Sequence, residues 1–303
     1  MTKQVHSINI QTSPSLGKID AGEIIRINGK SYRIPSILLF GVMKCGTRAL
    51  YTWLLEHPNL QGVSRPTFFD EMQNFDEEWP DYLSNPSFEV SEEALISGNR
   101  QLYTFDRNPN CFTKNFGRLY VAELLKKIMP SVKLLVILRN PTERAYSHYQ
   151  MKRRQSLKGK INTPKYLEYT FAESVQDYLE KKEQSLFSRV FKLGHYTDYL
   201  SIWLKHFPRE QLTILSMKDF QDDPFKVIYK IEELLRIPHF DYSHLAKLIN
   251  GKFWTLKGHY SKRHNPDYEP MSEQARSLLD TYYKPWNLKL KTMFPETKFP
   301  FIK

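Results

Sequence analysis

Three segments are almost continuously apolar: SILLFG (36–41), VKLLVIL (132–138) and QLTILSM (211–217). Strands covered on both faces have that pattern, because neither face meets water. Elsewhere apolar positions return every three or four residues, the period of a helix with one buried face. Leu50, Trp53 and Leu54 share a face over 47–57, and YVAELLKKIMP (120–130) is an amphipathic helix stopped by Pro130. ERAYSHYQMKRR belongs to a helix starting near Thr142, and QSLKGKINTPK (155–165) reads as a basic loop behind it. Further helices are predicted over 169–183 and 196–207. Another covers 223–237, with Phe225, Ile228, Ile231 and Leu235 in one stripe, and a last one runs from about Ser272 to Tyr283. GEIIRINGKSYRIP (22–35) predicts a hairpin, with Asn28-Gly29 supplying the two positive-φ positions of its turn. Residues 58–118 show neither period and read as irregular loop with short helix, a kind of stretch that often carries function.

Strands alternating with helices predict an α/β fold with a mainly parallel central sheet flanked by helices. No linker, repeat or low-complexity tract divides the 303 residues, so the chain reads as a single domain over 1–303. Within it, 1–35 is an N-terminal extension with the hairpin and 36–290 is the core.

Charge narrows the partners only to a class. The formal net charge is +11, which calls for something anionic; nucleic acid, acidic polysaccharide, nucleotide and membrane surface all fit. No zinc finger or RNA-binding aromatic signature is present, so nucleic acid is not expected. The two cysteines, Cys45 and Cys111, are too few for a disulfide framework and match a reduced compartment. MTKQVHSINIQTSPSLGK lacks the apolar stretch of a signal peptide, and no apolar run approaches the length of a membrane span. The expectation is a cytoplasmic protein without a span in this chain.

The chemistry is concentrated where strands end. LLFGVMKCGTRAL (38–50) runs from an apolar strand through a loop with Gly41 and Gly46 into a helix. Glycines let the backbone approach a phosphate, and the helix N-terminus favours the anion. The glycine spacing matches the nucleoside-triphosphate loop G-x-x-x-x-G-K-[ST], but the lysine stands inside the loop and Thr47-Arg48 replaces the Lys-Ser/Thr pair that would hold Mg²⁺. No apolar strand ends in an Asp that would complete a metal site. Met43, Lys44, Cys45, Gly46, Thr47 and Arg48 are therefore candidates for phosphate binding without a metal, in a P-loop-like sheet; a plain glycine-containing strand–helix turn is the structural alternative. LLVILRNPTERAYSHYQ provides a companion. Arg139 ends a strand, where a bidentate phosphate contact is natural, and Ser147 follows in the helix. Taken singly, Arg139 also reads as an ion-pair partner and Ser147 as a helix-surface hydroxyl. Together, two phosphate sites on two strands point to a nucleotide with separated phosphates.

The pair of motifs resembles the 5′- and 3′-phosphate sites of sulfotransferases that use 3′-phosphoadenosine 5′-phosphosulfate (PAPS) and, more closely, the heparan sulfate sulfotransferases, both the N-sulfating domain and the 3-O-sulfating enzymes. The similarity extends over most of 36–290, which it marks as the catalytic core. DEMQNFD (70–76), TFDRNPNCF (104–112) and GKFW (251–254) resemble further family segments and follow in the same order. The resemblance implies metal-free, in-line transfer of a sulfuryl group, with PAPS as donor and 3′-phosphoadenosine 5′-phosphate (PAP) as product. Lys44 would stand beside the bridging oxygen, and Glu71 would be the base, with Asp70 as its rival. Asp70 and Asp76 would flank the acceptor. Arg107 replaces the family's lysine near the reaction centre and Asp106 its glutamate, an exchange that alters geometry at a close-fitting site. Phe253 and Trp254 would stack on adenine, with core aromatics as the other reading. Lys257, Gly258, Lys262 and Arg263 would form the basic loop toward the 3′-phosphate. Arg153 and Arg154, in the basic run after Ser147, would suit a polyanionic acceptor; a solvated charged face is the other reading. The family's disulfide-bounded insertion is missing, since no Cys follows Cys111.

The acceptor implied is a hydroxyl or amine, either on a glycosaminoglycan-like sugar or on a small metabolite. A heparan-type acceptor would place the chain in the Golgi lumen, with an N-terminal anchor removed. Two readings from other classes remain: a P-loop nucleotide kinase, and a non-catalytic polyanion-binding protein.

Overall fold

The structure, a computed structural model, describes residues 6–7, 20–63, 75–91, 103–116, 119–249, 251, 253–258 and 270–302. β1 (His6–Ser7) runs parallel to β2 (Ile24–Ile27), and β2 turns back into β3 (Lys30–Arg33). Asn28 and Gly29 sit at φ 49° and 77°, the left-handed pair that a two-residue hairpin turn requires. The central sheet contains β4 (Ile37–Gly41), β5 (Leu60–Val63), β6 (Tyr103–Arg107) and, beyond a small antiparallel pair β7 (Asn115–Phe116) and β8 (Leu119–Tyr120), β9 (Lys133–Leu138) and β10 (Leu212–Ser216). β11 (Ala246–Ile249) and β12 (Phe253–Leu256) form a separate antiparallel hairpin.

All pairings in the central sheet are parallel, in the order β10–β9–β4–β6–β5. Every residue of β4, and every residue of β9 after Lys133, is buried. Their apolar runs are explained by helices on both faces.

Two strands of the central sheet were not legible as strands. β5 and β6 lie inside 58–118, the stretch without a period. β5 contains Gly62, whose missing side chain makes room for the Phe105 ring. β6 buries Thr104, Asp106 and Arg107. These polar residues are satisfied by tertiary partners: Thr104 Oγ1 donates to Ile34 O at 2.8 Å, and Tyr82 Oη donates to Asp106 Oδ2 at 2.9 Å. A hydrophobic pattern does not register burial of that kind.

The helices begin where their caps are. Asn140 accepts from the backbone N–H groups of Thr142 (2.8 Å) and Glu143 (3.3 Å) and starts the helix Pro141–Leu157 with proline in its first turn. That helix continues three residues, 155–157, into the expected basic loop. Thr170 and Glu173 make a reciprocal capping box ahead of Phe171–Lys181. The last helix, Glu273–Met293, passes the expected end at Tyr283 and runs through Pro285. Pro285 is exposed, so the carbonyl it leaves unpaired faces water, while buried Tyr283 and Leu290 hold the helix on either side. A second apolar cluster, including Ala145, Tyr149, Phe171, Tyr178, Phe191 and Tyr283, packs Pro141–Leu157 to this last helix. Among the described residues no helix is long and apolar enough to cross a membrane.

Candidate active site

The chain lays β5 and β6 on one side of β4 and then β9 and β10 on the other. This reversal opens a crevice at the carboxyl ends of β4 and β9, the place where open parallel sheets bind ligands. Three neighbouring strands, about 4.8 Å apart, thus end in the loop after Gly41, in Arg139 and in Arg107.

The loop after β4 is held by its backbone. Lys44 lies at φ 73° and Gly46 at φ 90°. A side chain at Gly46 would collide with Met217 Sδ, and one at Gly41 would meet Phe112 Cβ at 2.8 Å. A lysine in the left-handed region carries backbone strain, a feature that clusters at functional sites. The helix Thr47–Leu55 follows directly, with no acidic residue in its first turn to neutralise its N–H groups. Met43, Lys44 and Gly46 are half-buried, Thr47 is buried and Arg48 is exposed. Cys45 is fully buried, and burial pushes its thiol up, which makes it a packing residue rather than a nucleophile.

One hydroxyl joins the two motifs. Tyr196 Oη donates to Arg139 O at 2.7 Å and lies 3.6 Å from Cys45 Sγ. The loop after β4 and the turn after β9 are thereby tied through a residue 57 positions beyond Arg139. The side chain of Arg139 reaches Glu143 at 3.4 Å, and Glu143 also holds Arg276 at 2.6 Å. The ion-pair reading of Arg139 is therefore real and coexists with its position at the strand end. Ser147 is half-buried, two turns into the same helix.

Arg107 is 7% exposed and lies over the Tyr51 ring, 5.6 Å from its centroid. Burial lowers its basicity, and the nearby Arg48 acts in the same direction. The carboxylate of Asp106 acts in the opposite direction. Asp106 is buried, and its Oδ2 accepts from Tyr82 Oη at 2.9 Å.

The expected adenine side sits apart, on the β11–β12 hairpin. Trp254 packs edge-on to Phe225 at 5.1 Å, and Phe253 pairs in register with Ile249. Lys257 Nζ donates to His244 O at 2.8 Å, and Gly258 turns the chain at φ 80°. Arg153 and Arg154 are half-buried near the C-terminal end of Pro141–Leu157. Asp76 lies in the helix Phe75–Leu83. Asp70, Glu71, Lys262 and Arg263 lie outside the described residues.

The sulfotransferase domain family matches residues 35–265. The chain belongs to that family. Among known proteins, human bifunctional heparan sulfate N-deacetylase/N-sulfotransferase 3 is 28% identical over 272 residues, covering 86% of this chain and 30% of the relative. The mouse N-deacetylase/N-sulfotransferase 4 is 28% identical over 279 residues, with the same coverage. This chain thus spans less than a third of the length of these relatives. A solved sulfotransferase from Alicyclobacillus acidocaldarius shares the fold, with a TM-score of 0.57 at 20% identity over 86% of this chain and 95% of the other.

In this sulfotransferase-family chain, sequence patterns had not singled out Tyr196, Tyr51 or the buried Arg144. Arg144 reaches from Pro141–Leu157 to donate to Val190 O. Its position on the buried face, four residues before His148, is the only signal the sequence carried.

Proposed function

We propose that this chain moves a sulfuryl group from PAPS to a hydroxyl or amine of a glycosaminoglycan-like sugar. The observation that supports the reading is the adjacency of the three strands whose carboxyl ends lead into the Lys44 loop, Arg139 and Arg107, in a member of this family. The left-handed turn at Gly46 and the N–H groups at the start of Thr47–Leu55, with no acidic residue in its first turn, suit phosphate oxygens, and the missing Lys-Ser/Thr pair argues for chemistry without a metal.

In this proposal the backbone of 43–48 holds the 5′-phosphate, and Arg139 with Ser147 holds the 3′-phosphate. Phe253 and Trp254 flank the base, with Lys257, Gly258, Lys262 and Arg263 beyond them. Glu71 takes the proton from the acceptor O–H or N–H. The acceptor atom bonds to sulfur as the bond from sulfur to the phosphate oxygen breaks. Charge develops on that leaving oxygen, and Lys44 stabilises it. Arg107 holds the sulfuryl oxygens. In a loose transfer of this kind, positioning and charge supply most of the acceleration. The sugar acceptor rests on the net charge of +11 and on the heparan sulfate activity named for the relatives; Asp70, Asp76, Arg153 and Arg154 would line its path.

The test is transfer of labelled sulfate from PAPS in the presence of a chelator. N-desulfated heparan sulfate is offered beside a panel of phenols, alcohols and amines. Label in the polysaccharide is expected. Label only in a small molecule overturns the sugar acceptor, and a requirement for Mg²⁺ and ATP overturns the donor.

A further inference from the structure

The helix Pro141–Leu157 carries Arg144, His148 and Lys152 at intervals of four, so the three share one face. Arg144 is held against the helix Ser188–Lys192 by its bond to Val190 O. His148 is 0% exposed, and its Nδ1 lies 3.4 Å from Arg144 Nη1. A guanidinium only donates, so Nδ1 accepts and the proton of the neutral ring sits on Nε2. Nε2 is buried and has no hydrogen-bond partner. An orphaned buried donor is costly unless something accepts from it.

The surroundings identify that acceptor as an anion. The charged groups acting on His148 are Arg144, Lys152, Arg189 and Lys44, all cations, and with burial they hold its imidazole well below the usual range. Burial lowers the basicity of half-buried Lys152, and Arg189 acts on it in the same direction. Among the described residues no carboxylate pairs with Lys152 or Arg189. A neutral N–H donor and two like charges brought together with no acid form a built receptor for an oxyanion.

We propose that His148, Lys152 and Arg189 form a subsite for a sulfate or carboxylate group of the acceptor, a proposal that rests on the sugar reading above. The donor's phosphates are already assigned to the 43–48 loop and to Arg139 with Ser147. Lys152 stands five residues beyond Ser147, about 7.5 Å further along the helix. Lys44 connects the subsite to the reacting end. The subsite selects acceptors that already carry negative charge near the atom to be sulfated.

The experiment follows the Nε2 resonance of His148 in ¹⁵N-histidine-labelled protein saturated with PAP while inorganic sulfate is added. The signal is expected to shift saturably. Arg189→Glu and Lys152→Glu are each expected to weaken sulfate binding by roughly tenfold or more, with PAP affinity retained. His148→Gln assigns the signal; if that buried variant fails to fold, the two outer variants still decide. An unmoved signal, or equal sulfate affinity in both charge reversals, overturns the subsite. So does displacement of the sulfate by PAP, which would return these cations to the donor. Failure of PAP to bind falls on the donor reading instead, and the titration without PAP then decides the subsite.

Discussion

Two groups of positive charge flank the helix Pro141–Leu157, and the fold treats them oppositely. At its start, Arg139 and Arg276 share Glu143, at 3.4 and 2.6 Å. On its buried face, neutral His148 stands under the influence of the cations Arg144, Lys152 and Arg189, and among the described residues no carboxylate pairs with Lys152 or Arg189. The first group is compensated within the protein, so a phosphate must compete with Glu143 for Arg139. The second leaves its compensation to a ligand. Cys45, in the loop after β4, is influenced by both Arg139 and Arg144, so the two groups converge on the segment that carries Lys44.

The largest expected effects test that convergence. Lys44→Ala should lower kcat by roughly 10²–10³ with donor affinity less affected, and Glu71→Gln by about 10²–10⁴, both read by labelled-sulfate transfer. Full activity in either variant removes that residue from its role and leaves the field around the loop without a reacting cation or base.

Next comes acid sensitivity of the helical layer beside the uncompensated face. His195 stacks on Trp286 at 4.0 Å, and burial pushes its imidazole down to about 4. The unfolded chain, with histidine near 6.5, binds the proton first as pH falls. Stability is therefore lost between about pH 6.5 and 4, by roughly 3 kcal/mol for this group. His148 acts in the same direction. Urea unfolding of the parent and of His195→Gln across that window should converge at low pH; parallel curves would remove His195 from the account.

A smaller effect separates strain from crowding in the loop. Gly46→Ala should cost about 1–3 kcal/mol in thermal or urea unfolding, because φ 90° is unfavourable for a side chain and Met217 stands in the way. Adding Met217→Ala should recover only the crowding part. Complete recovery would show that the backbone conformation contributes nothing.

The smallest effect sharpens the comparison most. Glu143→Gln frees Arg139 from its half-exposed ion pair, which is worth at most about 1 kcal/mol. PAP affinity measured by calorimetry should rise a few-fold. Unchanged affinity would mean that Arg139 does not contact the donor, and that its pair with Glu143 is structural.

The legible parts of the site are those whose signal is local. SILLFG and VKLLVIL announced buried strands because both faces are covered, and the glycine loop and Arg139 were visible because each directly follows such a run. β5 and β6 were hidden because Gly62 packs by lacking a side chain and Asp106 and Arg107 are buried by satisfying polar groups. The adenine-side residues were placed by resemblance alone.

By itself the sequence determined the α/β class, the two strand-end motifs and the family, since apolar periodicity, turn residues and motif spacing act between near neighbours in the chain. The tertiary structure decided which strand ends lie side by side. It also decided that Tyr196 joins two loops, that Glu143 compensates one arginine group, and that His148 keeps an unpaired donor among cations. Those facts depend on groups distant in sequence meeting where water is excluded, and there the strength of each charge and hydrogen bond is set by what the fold places beside it.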